Sequence, residues 1–292
     1  MSSAIGQMHP ARAIGSYCAA LDAGLPQKLR AIEPWVHAWH GGEILDLGAG
    51  TGALAARQAH RHPHARVIGV DAAPAMVTRS RRRHGGYRNL HLRTGDASEV
   101  HSRSAACVIL CSVLHEVYSY AGDSMAAVRA VLAACWKSLL PGGRLIVRDF
   151  VKPLDAARPA LLCHQRHDIV PGHDFLSFSR AFGRPVLVRS VRASPATMVY
   201  ETDAVSAHEY LLRKDYHEMW DAELHEHYAF WTMADARALV RAAGFAIVHS
   251  ELLHSRWAIE SAFRGKVELR DPDTWQPIRP SPAQLLLVAE KP

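Results

Sequence analysis

Between an apolar run, Ile44-Leu45, and a helical pattern, the chain carries Asp46-Leu47-Gly48-Ala49-Gly50-Thr51-Gly52-Ala53. A glycine-rich turn from strand into helix lets the backbone approach a ligand and aims the first helical N–H groups at it. Two templates fit. Gly48, Gly50 and Ala53 match the G-x-G-x-x-G/A fingerprint of dinucleotide sites. Gly48, Gly50 and Gly52 match G-x-G-x-G preceded by an acid, Asp46. An acid at that point repels a pyrophosphate and suits a ligand bearing ammonium and sulfonium charge.

The surrounding pattern predicts an α/β sheet. Helical spacing is expected over 31–40, 53–62, 74–83 and 124–139, and short apolar strands over 44–47, 67–71, 90–92, 106–111 and 144–149. Pro141-Gly142-Gly143 stops the last of these helices. Strand–helix alternation means parallel strands covered on both faces. The alternation breaks from Val151 to Thr232, then resumes with a helix over 233–243 and a strand over 245–252. A hairpin is expected over 266–275 and a final strand over 284–289. The expected domains are therefore 1–150, holding N-terminal helices and the ligand-binding part; 151–232, a substrate-binding cap; and 233–292, completing the sheet.

Acids close two further strands. Asp71, 23 residues after Gly48, is placed to accept ribose hydroxyls. Asp96, in Thr94-Gly95-Asp96-Ala97, is placed to meet an adenine amino group. Ile44 to Gly52, Val70-Asp71, Gly95-Asp96-Ala97, Leu110-Cys111-Ser112-Val113-Leu114-His115-Glu116 and Leu140-Pro141-Gly142-Gly143 resemble, in order and spacing, the motifs of class I S-adenosylmethionine-dependent methyltransferases. The resemblance covers residues 27–150, and 233–292 fit that family's final helix and strands. It implies a seven-stranded, doubly wound, mostly parallel sheet whose last strand is antiparallel, interrupted by the cap. It implies S-adenosylmethionine as cofactor, held by Asp46, Gly48, Ala49, Gly50, Gly52, Asp71, Ala72, Asp96, Ala97, Cys111 and Ser112. His115 and Glu116, just after the fourth strand, and Asp149, ending the fifth, are the candidate catalytic residues.

The acceptor is expected to be small and polar. Between Glu201 and Trp231 eight acids face Arg213 and Lys214, whereas between Val151 and Tyr200 Lys152 and six arginines face three aspartates. Opposed charge in one cap suits an amine-bearing or zwitterionic metabolite. Tyr118, Trp220, Glu223, Glu226 and Tyr228 are the candidate substrate contacts, the aromatics serving as cation–π walls. An RNA methyltransferase and a non-catalytic cofactor-binding partner subunit are the alternatives. For RNA, the only candidate surface is the run Arg79, Arg81, Arg82, Arg83, Arg88 and Arg93. It lies away from the catalytic strand ends and reads as a solvated face, so nucleic acid is the disfavoured partner. The net charge of +6, from 34 basic and 28 acidic residues, is too small to argue otherwise. No metal is expected: His217, Asp221 and His225 recur at helical spacing, but methyl transfer needs no ion. No apolar run is long enough to span a membrane. The first fifteen residues lack a secretory apolar core, and five cysteines without a CxxC pair fit a reducing cytoplasm.

Overall fold

The computed structural model describes residues 14–37, 42–100, 102–254 and 263–292. It divides into two compact units: Met1–Phe150 with Met233–Leu252 and Leu285–Pro292, and Val151–Thr232 with Leu253–Gln284.

The first unit is built on seven strands in the order β3-β2-β1-β4-β5-β12-β9. These are β1 (Glu43–Leu47), β2 (Arg66–Asp71), β3 (Leu90–Thr94), β4 (Ala105–Cys111), β5 (Leu139–Phe150), β9 (Ala246–Leu253) and β12 (Gln284–Glu290). Pairs β1–β2, β1–β4, β2–β3 and β4–β5 are parallel. β12 runs the other way. Its end meets the start of β5, where Gly142 N–H donates to Lys291 O and Lys291 N–H to Gly143 O, while its start lies at the end of β5, where Val151 N–H donates to Ala283 O. All seven residues of β4 are buried, which explains its unbroken apolar run: a central parallel strand has no wet face.

The expected helix over 31–40 is shorter. Leu25–Ile32 is α-helical, and a 3-10 turn follows at Glu33–Trp35. Pro34 lacks the N–H that would extend the ladder, and Val36 is already extended; residues 38–40 lie outside the described residues. A helix preceding it, Ile14–Ala23, carries no pattern the sequence reading used.

Residues 253–284 belong with the second unit, so the stretch 233–292 does not complete the sheet as one piece. The physical reason is pairing. β10 (Val267–Arg270) hydrogen-bonds antiparallel to β6 (Pro159–Gln165), in a sheet ordered β11-β10-β6-β8-β7 that also holds β7 (Ser190–Ala193), β8 (Thr197–Asp203) and β11 (Pro277–Ile278). The expected hairpin is displaced accordingly: Leu269 faces Ile278 and Arg270 faces Pro277, so the turn spans 271–276. The broken pattern after Val151 thus conceals one strand of four residues, β7, and one too uniformly apolar to show alternation, β6.

The helix face of His217, Asp221 and His225 does not form. His217–Met219 is a 3-10 turn, and only Trp220–Glu223 is α-helical. His217 Nδ1 lies 3.0 Å from His173 Nδ1, and His225 Nδ1 meets the Asp221 backbone oxygen at 2.7 Å.

The second unit buries its own ion pair. Arg213 is 0% exposed and lies over the rings of Phe178, Phe182 and Tyr228, at 5.2, 4.6 and 4.4 Å. It donates to Glu209 Oε2 at 2.8 Å, and Glu209 also accepts Ala229 N–H at 2.6 Å. Burial alone would raise the Glu209 carboxyl, but Arg213, His227 and Ala229 N–H hold it below its usual value. Its stabilisation is therefore present above the ordinary carboxylate range and lost as pH falls through the lowered value. Glu209→Gln leaves a buried guanidinium without its counter-charge. Urea unfolding followed by tryptophan fluorescence is expected to show a loss of about 3–5 kcal/mol; an unchanged midpoint would mean Arg213 needs no carboxylate.

Candidate active site

The glycine loop is held from both sides. Gly48 and Ala49 donate to Val70 O at 2.8 and 3.0 Å. Gly48, Gly50 and Gly52 have φ of 78°, 52° and 71°, a region side chains resist. A Cβ on Gly48 would meet Val113 Cγ2 at 2.5 Å, so the loop lies directly against the residues that follow β4. Asp71 ties the turn to β2: its Oδ2 accepts Gly50 N–H at 2.7 Å and its Oδ1 accepts Ala73 N–H at 2.9 Å. Thr51 donates to Asp22 Oδ1 at 2.9 Å, latching the N-terminal helix onto the loop.

Two cavities share Gly48, Asp71, Val113 and Glu116 as a common waist. The smaller, about 80 Å³, is lined by Asp46, Ala49, Gly50, Cys111 and Ser112, and also by Tyr17, Asp22 and Lys28. The larger, about 330 Å³, is lined by Ala72, Asp96, Ala97, Tyr120 and the small residues Ala126, Ala127 and Ala130. Ser112 takes φ 57°, a left-handed turn unusual for a non-glycine residue and common where a ligand is gripped. Asp96 Oδ1 accepts both Ser98 N–H and Ser98 Oγ–H, so it caps the turn that shapes the larger cavity. Of the sequence-selected cofactor residues, only Gly52 lines neither cavity. It serves the turn, since a Cβ there would meet Ser80 Cβ at 3.0 Å.

Asp46 is 1% exposed, and its Oδ2 is a buried oxygen without a hydrogen-bond partner. Burial pushes its carboxyl up to about 7; Lys28 opposes the shift and Asp71 adds to it. A buried acid facing a cavity with one oxygen unpaired fits a cationic ligand group, and a loop of bare glycine backbone beside a largely apolar compartment leaves room for the rest of S-adenosylmethionine. Asp46 would face the amino-acid end of that cofactor and Asp71 and Asp96 its nucleoside end.

The structure joins two candidate catalytic residues that the sequence reading held apart. His115 Nδ1 lies 2.7 Å from Asp149 Oδ1, and the two are 3% and 0% exposed. Asp149 Oδ2 accepts Val113 and Leu114 N–H at 3.0 and 2.7 Å. The His115 ring stands edge-on to Phe150 at 4.8 Å. Glu116 lines both cavities, whereas His115 and Asp149 line neither.

The proposed substrate contacts are placed differently from expectation. Tyr118 lines neither cavity; Tyr120, two residues on, lines the larger. The cation–π walls are engaged within the second unit: Tyr228 carries Arg213, and Trp220 stacks on His173 at 4.6 Å within the aromatic core. Five of the eight acids between Glu201 and Trp231 have internal partners. Glu201 accepts from Ser190, Asp203 caps a helix, Glu209 holds Arg213, Asp215 pairs with Lys214, and Glu223 accepts the Tyr228 hydroxyl. The acidic stretch is thus mostly internal wiring; Glu226 is also buried. The residues missed were Tyr17, Asp22 and Lys28, which reach the smaller cavity only because the N-terminal helices fold back on the loop.

Asp46 gives the site a pH signature. A cation beside it favours the ionised form, so binding below about pH 7 must first remove a proton. The dissociation constant of S-adenosylmethionine is expected to tighten about tenfold from pH 6 to pH 8, and Asp46→Asn to flatten the profile. Calorimetry in buffers of different ionisation enthalpy reads the released proton; a flat wild-type profile would place the ammonium elsewhere. Without ligand the sign reverses. The raised carboxyl favours the fold when protonated, and that contribution is lost as pH rises through about 7.

The methyltransferase domain family matches residues 45–145. Carboxy-S-adenosyl-L-methionine synthase of Salmonella paratyphi C is 31% identical over 186 residues, covering 61% of this chain and 69% of that protein. Among solved structures, an S-adenosylmethionine-dependent methyltransferase from Mesorhizobium loti superposes with a TM-score of 0.51 at 22% identity, over 92% of this chain and 97% of that one. Phosphoethanolamine N-methyltransferase 2 of Haemonchus contortus, solved with S-adenosyl-L-methionine, gives 0.50 at 14% identity, over 91% and 52%. Among the described residues no helix is long and apolar enough to cross a membrane. Sheet order, glycine loop and the synthase relatives agree: the chain belongs to the class I S-adenosylmethionine-dependent methyltransferase superfamily, as an enzyme that uses that cofactor.

Proposed function

We propose that the enzyme methylates a small polar acceptor bearing an ionisable O–H or N–H, with His115 as the base and Asp149 as the residue that orients it. The second unit, as an acceptor-selecting cap, completes the reading. The observation that carries it is the buried contact of 2.7 Å between His115 Nδ1 and Asp149 Oδ1.

When bound, S-adenosylmethionine supplies an electrophilic methyl group on a sulfonium. The glycine loop and Asp71 would fix its position, and Asp46 would neutralise positive charge. Methyl transfer to O–H or N–H releases one proton. Asp149, with two backbone N–H groups on Oδ2, is fixed in place; its Oδ1 selects the His115 tautomer protonated at Nδ1. Nε2 then carries the lone pair that accepts the acceptor's proton. Glu116, at the waist of the two cavities, would add negative charge beside a bound cationic cofactor.

The synthase relatives support a second reading. Their name describes formation of carboxy-S-adenosyl-L-methionine, in which the cofactor itself is the molecule modified. Mass spectrometry of nucleotide co-purified with the protein separates the two. A species heavier than S-adenosylmethionine by one CO2 favours the second reading; S-adenosylhomocysteine favours the first.

A panel of small amines, amino acids and phenols, assayed by S-adenosylhomocysteine release, should yield an acceptor. With that acceptor, His115→Ala is expected to lower kcat by about 10²–10⁴ while S-adenosylhomocysteine affinity stays within about threefold. Full turnover in the variant would return His115 to a packing role. Failure of the entire panel would count against a small O–H or N–H acceptor.

A further inference from the structure

The smaller cavity beside the glycine loop carries an uneven set of charges. Asp22, Asp46, Asp71 and Glu116 line it, and Lys28 is the one cationic residue that does so among the described residues. Two of the acids already have duties within the fold. Asp22 accepts Thr51 Oγ–H and pairs with Arg83, and Asp71 accepts Gly50 and Ala73 N–H. Asp46 keeps a buried oxygen without a partner.

Lys28 lies on the helix Leu25–Ile32 and is half-buried. Its side chain runs back along the helix, as helical side chains do, with Cε 3.8 Å from the point that a Cβ on Gly24 would occupy. Its ammonium has no ion pair among the described residues. It is nevertheless the charge that most opposes the burial-driven rise of the Asp46 carboxyl. The two groups therefore line one cavity with opposite charge without consuming each other. S-adenosylmethionine ends in an α-amino acid, so it brings both an ammonium and a carboxylate to the cavity that takes that end. A carboxylate set among acids meets uncompensated repulsion unless a cation stands beside it.

We propose that Lys28 is a specificity-determining residue that receives the α-carboxylate of the cofactor, while Asp46 receives its α-ammonium. The pair reads the amino-acid end as a zwitterion and discriminates against nucleosides that lack the carboxylate. Lys28 stands outside the glycine loop and the strand-end acids, so this discrimination is supplied by the N-terminal part of the chain. The inference rests on the cofactor and not on the acceptor chemistry proposed above, which a binding measurement does not probe.

Titration calorimetry with the full-length protein compares S-adenosylhomocysteine with S-adenosyl-3-thiopropylamine, which keeps the amine and lacks only the carboxylate. The titrations are run at about pH 8.5, above the raised Asp46 value of about 7, so that they read Lys28 rather than the protonation of Asp46. The wild type is expected to bind S-adenosylhomocysteine about tenfold more tightly, as one charge-assisted contact accounts for. Lys28→Met is expected to bring the two affinities within about threefold of each other, and Lys28→Arg to keep them apart, since a cation is retained. Asp46→Asn should weaken both ligands alike and leave their ratio unchanged, because both carry the amine. Equal wild-type affinities would overturn the role of Lys28, and so would an undiminished ratio in Lys28→Met. Binding of neither nucleoside by the wild type would instead remove the cofactor assignment, and this inference with it.

Discussion

Four partners converge on one buried carboxylate, that of Asp149. Its two oxygens accept the N–H groups of Val113, Leu114 and Phe150 and meet His115 Nδ1. Backbone donors at the end of a parallel sheet have lost their strand partners and cannot stay unpaired inside the protein. Asp149 supplies the acceptor at the end of β5, and Asp71 does the same at the end of β2 for Gly50 and Ala73. The turns after β2 and β5 are thus both closed by a carboxylate. The Gly48–Val113 approach depends on it as well, because Val113 is held where Asp149 takes its N–H.

Charge is handled oppositely in the two units. The second unit pairs its buried arginine internally: Arg213 has Glu209, three aromatic rings and two carbonyls, with only its Nε left without a hydrogen bond. The first unit leaves Asp46 buried with an unused oxygen. A buried acid of this kind is costly to the fold on its own, and a cationic ligand beside it would offset that cost.

Much of the first unit was legible because it obeys short-range rules. Continuous apolar runs mark strands buried on both faces, glycines at fixed offsets mark left-handed turns, and acids at strand ends mark the cofactor edge. The second unit was illegible for an equally local reason. β6 is buried along nearly its whole length and so shows no alternation, and its partner β10 lies about a hundred residues further on. The acidic stretch misled because composition does not reveal partners: Asp203 is a helix cap and Asp215 a lysine's counter-ion. Of the aromatic residues that read as walls for a ligand cation, Tyr228 lies instead against an arginine of the chain itself and Trp220 against a histidine.

By itself the sequence determined the seven-stranded sheet, the cofactor class and the left-handed glycine turns after β1, since each follows from residue types within a few positions of one another. Only the tertiary structure decided which distant groups meet. It brought His115 to Asp149 across 34 positions, folded Asp22 and Lys28 onto the glycine loop, and paired Val267–Arg270 with β6 of the second sheet. Such contacts are set by strand order and by where buried donors find acceptors, and neither is written in any local pattern.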